Sequence, residues 1–146
     1  MKTYSKNTFK THCDALQQQH AIISNIHSQF GYPPFWKRAN HFESLCKTIL
    51  EQQVSLASAR SSYEKLNQFC ETITPIRLST LTEVEYRNCG VTKQKARYLT
   101  LLAERVLQQP DFFNSLKKMN NESAKEMLMS LKGIGHWTAN VYIIIA

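Results

Sequence analysis

Apolar residues recur along the chain at spacings of three and four, the period of a helix with one buried face. Leu16, Ile23, Ile26 and Phe30 share one such stripe, which Gly31 interrupts ahead of a stiff Tyr32-Pro33-Pro34 connector. Phe42, Leu45, Cys46 and Ile49 form the next, behind a capping box of Asn40 and Glu43, and that helix is expected to run to about Gln53. Ser55 can cap a following helix with Leu56, Ala59, Tyr63, Leu66 and Cys70 on its buried side. The run Glu51-Gln52-Gln53-Val54 then lies at the junction of two helices. Residues 71–81 read as a loop with a short turn. Thr82 and Glu85 make a capping box for a short helix that stops near Gly90. Thr92 caps a long helix that buries Leu99, Leu102, Ala103 and Val106, and Pro110 lies just past its end. A helix from about Glu122 buries Ala124, Met127, Leu128 and Leu131, a Gly133-Ile134-Gly135 turn follows, and a last helix starts near His136. Strand alternation, repeats and low-complexity tracts are absent. The pattern predicts an all-α fold, a compact domain of about seven or more helices. Residues 1–34 read as an N-terminal helix and connector, and residues 35–146 as the main helical domain.

Composition narrows this picture. Only 4 glycines and 4 prolines occur in 146 residues, which suits helices joined by short turns. Lysine and arginine number 18 against 11 acids, a net charge of +7. Such a surplus points to a polyanionic partner, nucleic acid being the usual one; plain solubility is the alternative. The four cysteines, Cys13, Cys46, Cys70 and Cys89, are widely and unevenly spaced, as buried free thiols in a reducing compartment would be. They do not have the spacing of a zinc or iron–sulfur site. The N-terminus is polar and lacks the apolar core of a signal peptide. No apolar run reaches the roughly 20 residues that span a bilayer, so no membrane partner is expected. An intracellular location is expected, cytoplasmic and nucleoid-associated if the source is bacterial.

The chemistry concentrates near the end, in LKGIGHWTANVYIIIA. Glycines in a tight turn between two helices permit positive φ and close backbone approach. The turn points the free N–H groups at the start of the last helix outward, where the helix dipole suits them to a phosphate oxygen. Ile134 can pack between the helices and Lys132 adds a cation at the rim.

The string Leu131-x-Gly133-Ile134-Gly135-x-Trp137-Thr138-Ala139 resembles the helix-hairpin-helix element of the helix-hairpin-helix DNA glycosylases, and most of all their alkylation-repair branch, the DNA-3-methyladenine glycosylase II group. Phe42-Glu43-x-Leu45 followed by Ile49-Leu50-Glu51-Gln52-Gln53-Val54-Ser55 resembles a second signature of that group, and Gly90-Val91-Thr92-x-x-Lys95-Ala96-x-Tyr98-Leu99 a third. The three occur in family order and cover the chain from about Phe35 to Ala146.

The resemblance implies an enzyme that flips an alkylated purine out of duplex DNA and hydrolyses its N-glycosidic bond. A cationic base is already a good leaving group, so the site needs an aromatic pocket and a carboxylate facing the developing sugar cation. Trp137 stands where lyase-competent relatives carry a Schiff-base lysine, which implies a monofunctional enzyme with Trp137 as a pocket wall; a core tryptophan anchoring the last helix is the alternative. Tyr142, Phe35 and Trp36 are further candidate walls, and Val141 departs from the branch, which often has an aromatic there. Gln53 matches the residue that fills the gap left by the flipped nucleotide, with Gln52 and Ser55 flanking it in the minor groove. Lys93, Lys95 and Arg97 crowd a helix start, where they oppose the dipole; phosphate contact would account for them, and a solvated face is the alternative. Lys132, Gly133, Ile134, Gly135, His136 and Thr138 complete the implied DNA contacts. No cofactor is implied, and no iron–sulfur cluster. A structural monovalent cation held by the backbone carbonyls of Met129, Leu131 and Ile134 is implied by the family alone.

The family's catalytic aspartate would lie beyond Ala146, and no aspartate follows Asp111. The last helix also has no closing signal, so the sequence is expected to be truncated at its C-terminus and inactive as it stands. The alternatives to a glycosylase are a helix-hairpin-helix module that binds DNA without chemistry and, more distantly, a helical interaction protein. Neither the lesions removed nor the oligomeric state can be read from these residues.

Overall fold

A computed structural model describes residues 5–145; residues 1–4, with which the N-terminal stretch read for a leader begins, and Ala146 lie outside the described residues. The described residues hold ten helices and no strand. They fall into two compact units that divide between Lys37 and Arg38.

The N-terminal unit carries α1 (Lys6–Gln19) and α2 (Ala21–Phe30). Ser5 and Thr8 form a reciprocal capping box at the start of α1. His20, in an extended conformation, separates the helices, a break that no Gly or Pro announces. The stripe read from Leu16 to Phe30 is therefore shared by two helices, neither of which contains a buried residue. Gly31 ends α2 at φ 74°.

The second unit holds α3 (Phe42–Leu50), α4 (Leu56–Cys70), α5 (Pro75–Thr80), α6 (Glu83–Asn88), α7 (Lys93–Gln108), α8 (Phe112–Lys118), α9 (Asn121–Met129) and α10 (His136–Ile145). Its core runs through Leu45 and Ile49 of α3, Leu66 of α4, Leu99 and Leu102 of α7, Leu116 of α8, Leu128 of α9 and Tyr142 of α10. The caps at Ser55, Thr82 and Thr92 form as the sequence predicts, with Glu85 closing the capping box on Thr82. Four details differ. His41, not Asn40, caps α3, its Nδ1 accepting from the Ser44 N–H. Asn40 instead ties two helices together, donating to the Phe113 carbonyl and accepting from the Tyr142 hydroxyl. Helix α3 stops at Leu50 rather than Gln53. Leu56, placed on a buried stripe by its spacing, is 75% exposed because it occupies the first turn of α4, at the junction rather than in the core. Helices α5 and α8 lie in segments without a full periodic stripe; α5 is started by Thr74 as cap and Pro75 at its first position.

Candidate nucleic-acid interface

Three segments meet at one open cleft of about 650 Å³. The junction between α3 and α4 supplies Gln52, Gln53 and Val54; the start of α7 supplies Thr92, Lys93, Gln94, Lys95 and Tyr98; the turn before α10 supplies Gly133, Trp137 and Thr138. No aspartate or glutamate is among these lining residues.

The hairpin is built around Gly133. Its φ is +90°, and a Cβ there would lie 2.2 Å from the Tyr98 ring. Only glycine meets both conditions, so the ring of α7 seats directly against the turn. Ile134, 5% exposed, packs beneath, as expected of it. The Ala139 N–H bonds to the Gly135 carbonyl and begins α10, leaving the amides before it at the helix end. Gly135, His136 and Lys132 are exposed beside that end. Trp137 is 69% exposed and lies in the cleft, which removes the alternative of a core anchor.

The junction is held at both ends, and here several residues expected at DNA serve the fold. Gln52 donates from Nε2 to the Gly133 carbonyl at 2.9 Å and to the Thr138 hydroxyl at 3.2 Å, so its amide hydrogens point into the protein and not into a groove. Thr138, the second acceptor, is buried and so does not face a groove either. Lys95 reaches across to the Leu50 carbonyl at 2.7 Å, where it satisfies an acceptor left open at the end of α3. Burial lowers the pKa of its ammonium. It is thus a helix cap before it is a phosphate ligand. Ser55 is exposed but its Oγ accepts from Ser58 as the cap of α4. Between these fixed points Gln53 is exposed at φ 54°, a left-handed conformation unusual for a residue with a side chain. Lys93 stands at the rim with its side chain 80% exposed, in a 3.0 Å pair with Glu83 that solvent weakens.

The other proposed pocket walls are not among the lining residues of this cleft. Tyr142 is fully buried and hydrogen-bonded to Asn40, and burial raises its phenol pKa. Phe35 and Trp36 belong to the N-terminal unit, where Phe35 packs on Phe9 at 5.2 Å between ring centroids and Trp36 is 73% exposed. The carboxylates nearest the junction are engaged outside the cleft. Glu51 receives two hydrogen bonds from the Arg38 guanidinium, and Glu43 pairs with Lys47 and accepts from the Tyr63 hydroxyl. Among the described residues no cluster of His, Cys, Asp or Glu could hold a metal ion. Of the three carbonyls implied for a cation, that of Leu131 accepts from the Ile134 N–H at 3.1 Å. Tyr98 and Gln94, whose side chains bond to each other at 2.7 Å, also line the cleft; Tyr98 belongs to the family-like string, and Gln94 carries no sequence signal.

Residues 46–137, more than half of the sequence, match the profile of the HhH-GPD superfamily base excision DNA repair proteins. The chain belongs to that superfamily. It is 29% identical over 119 residues to a DNA-3-methyladenine glycosylase of Bacillus subtilis, a match covering 71% of this chain and 38% of the relative. It is 28% identical over 111 residues to the alkylbase DNA glycosidase-like protein mag2 of Schizosaccharomyces pombe, covering 70% and 51%. An Endonuclease III of Sulfolobus acidocaldarius is 30% identical over 113 residues, covering 74% and 48%. The chain thus spans about half or less of the length of these relatives. Among solved structures, a DNA-3-methyladenine glycosidase from Bacillus halodurans superposes with a TM-score of 0.74 at 27% identity, covering 88% of this chain and 60% of that one. A Schizosaccharomyces pombe 3-methyladenine DNA glycosylase in complex with abasic DNA superposes at 0.78 and 19% identity, covering 90% and 67%, a likeness of fold. As an HhH-GPD protein the chain is all-α, and the Bacillus subtilis glycosylase and mag2 fit the alkylation-repair branch, whereas the Endonuclease III belongs to another. No helix among the described residues is long and apolar enough to cross a membrane.

Proposed function

We propose that this HhH-GPD chain provides the DNA-engaging part of a monofunctional base-excision glycosylase for alkylated purines of the 3-methyladenine class. The observation that carries the reading is the acid-free cleft in which exposed Trp137, in the first turn of α10, shares the lining with Gln53. The hairpin amides and Lys132 take a phosphate of the damaged strand. Gln53 enters the stack in place of the flipped nucleotide, and its amide bonds to the orphaned base. The Trp137 face stacks on the extruded ring, and a positively charged base gains most from that contact. Indole cannot form a Schiff base, so the sugar would be left as an intact abasic site. Hydrolysis breaks the bond between sugar and base, whose electron pair leaves with the base, joins water oxygen to the sugar carbon and releases one proton of that water to solvent. A carboxylate must stabilise the cationic sugar in that step. Glu51 and Glu43 are tied to Arg38 and Lys47, so we assign this role to neither of them. A monovalent cation at the Met129, Leu131 and Ile134 carbonyls would steady the hairpin, and the reaction would take place at intracellular DNA.

The test is binding and base release with one methylated duplex and one abasic duplex. The 146-residue chain is expected to bind both with an affinity that falls steeply with salt, to prefer the abasic duplex, and to release no base under single-turnover conditions. Release of methylated purine by this chain would mean that Glu51 or another internal group performs the chemistry. Salt-sensitive binding without abasic preference would favour the second reading, a DNA-binding module without chemistry, which the lack of a carboxylate in the cleft lining supports.

A further inference from the structure

We propose that Gln52 is a positioning residue that couples the plug to the hairpin, so that insertion of Gln53 and capture of the flipped nucleotide occur as one event. This rests on the glycosylase reading above.

Gln53 and Trp137 sit on different segments, 84 residues apart in sequence, and must act on the same nucleotide step. The neighbour of the plug is the link between those segments. Both Gln52 hydrogen bonds, to the Gly133 carbonyl and the Thr138 hydroxyl, cross from the α3–α4 junction to the turn and first helical turn that carry Trp137. The acceptors are well fixed. Gly133 is pressed against Tyr98 on its other side, and Thr138 is 5% exposed. Lys95 pins the start of the same junction at Leu50, and the Ser55 cap pins its end. The exposed, left-handed Gln53 lies between these anchors.

Rigid linkage makes the second of two contacts intramolecular. Once the hairpin holds the phosphate, the plug is presented at a high effective concentration to the adjacent step. A freely hinged junction would lose that advantage while leaving each contact intact. The consequence is selective: binding to intact duplex, which needs the hairpin and its cations, is little changed, whereas abasic duplex, which engages hairpin and plug together, loses affinity.

The experiment measures dissociation constants of the 146-residue chain for two duplexes that differ by one stable abasic analogue, together with Tm. Gln52→Met keeps the length and removes both donors. It should lower the abasic preference about tenfold with intact-duplex affinity held within about twofold. Thr138→Val removes one acceptor, is close in shape, and should lower the preference about threefold. Thr138→Val also decides the matter if Gln52→Met fails to fold. Folded variants that keep the wild-type preference would overturn the proposal, and so would a parallel fall of both affinities and Tm, the mark of a purely structural contact. The wild-type chain tests the parent reading by itself: absence of any abasic preference there overturns that reading and this proposal with it, whereas preference in the wild type that survives in both variants overturns this proposal alone.

Discussion

Two clefts flank the α3–α4 junction, and they treat charge in opposite ways. The cleft of Trp137 contains Lys93 and Lys95 and has no acid among its lining residues. The other, about 430 Å³, is lined by Arg38, Lys47 and Arg60 together with Glu51 and Glu64, over a floor that includes Leu56, Ala59 and Tyr63. There each cation has a carboxylate partner: Arg38 with Glu51, Arg60 with Glu64, and Lys47 with Glu43. A net charge of +7 states only that cations are in excess. In the Trp137 cleft Lys93 is offset only by a solvent-screened pair with Glu83 and Lys95 only by the Leu50 carbonyl, so more of the excess remains effective there, and a polyanion is attracted to that place. The paired cleft spends its charges on the fold; the acid-free one keeps a field for a ligand.

The difference is most easily broken at Gly133. Gly133→Ala would force a side chain into positive φ and drive its Cβ into the Tyr98 ring, so a loss of about 3 kcal/mol or more is expected in chemical denaturation, with duplex binding lost as the hairpin moves. Adding Tyr98→Ala should recover the steric part and not the backbone part. Gly135→Ala, where a Cβ meets nothing within 4 Å, should cost much less and serves as the control. Next in size is Trp137→Ala. An exposed tryptophan contributes little to stability, so Tm should barely move, while affinity for duplex with an extruded base should fall roughly tenfold, the usual worth of stacking on one base. Equal losses for intact and extruded substrates would deny Trp137 its role as a pocket wall. In the paired cleft the expectation reverses. Glu51→Gln should lower stability by about 1 kcal/mol through loss of a bidentate, partly buried pair, and leave duplex preference unchanged.

How far these features could be read in sequence depends on whether the cause is local. The caps at Ser55, Thr82 and Thr92 and the α7 stripe of Leu99, Leu102, Ala103 and Val106 were legible because capping and periodicity act within one helix. Helices α5 and α8, of 6 and 7 residues, are too short to display a full stripe. At the site, exposure of Trp137 and the need for glycine at Gly133 followed the motif. The roles of Gln52, Lys95 and Thr138 did not, since each is set by a partner at least 45 residues away: Gln52 and Thr138 bond to each other across 86 residues, and Lys95 reaches Leu50 across 45. Tyr142 is buried rather than a pocket wall for a related reason. Helical spacing places it on α10 beside the motif, but only the position of Asn40, 102 residues earlier, shows that its hydroxyl turns into the core.

Acid provides the mildest test of the contrast between the clefts. The Lys47 ammonium, and then the Tyr63 hydroxyl, hold the Glu43 carboxyl below the usual carboxylate range. A carboxyl depressed in the folded state binds its proton more readily when the chain unfolds. Its contribution to stability is therefore present above the unfolded pKa and is lost as pH falls through the folded one. Tm should decline between about pH 5 and about pH 3, and Glu43→Gln should flatten part of that decline while lowering Tm at neutral pH. The effect is small because the Glu43 side chain is 36% exposed and solvent screens the pair. Duplex preference should not follow the same curve, since the other cleft has no lining carboxylate to protonate. A loss of abasic preference that tracks the Glu43 titration would mean that the two clefts are energetically joined through the α3–α4 junction, and that the paired side helps to set the geometry of the plug.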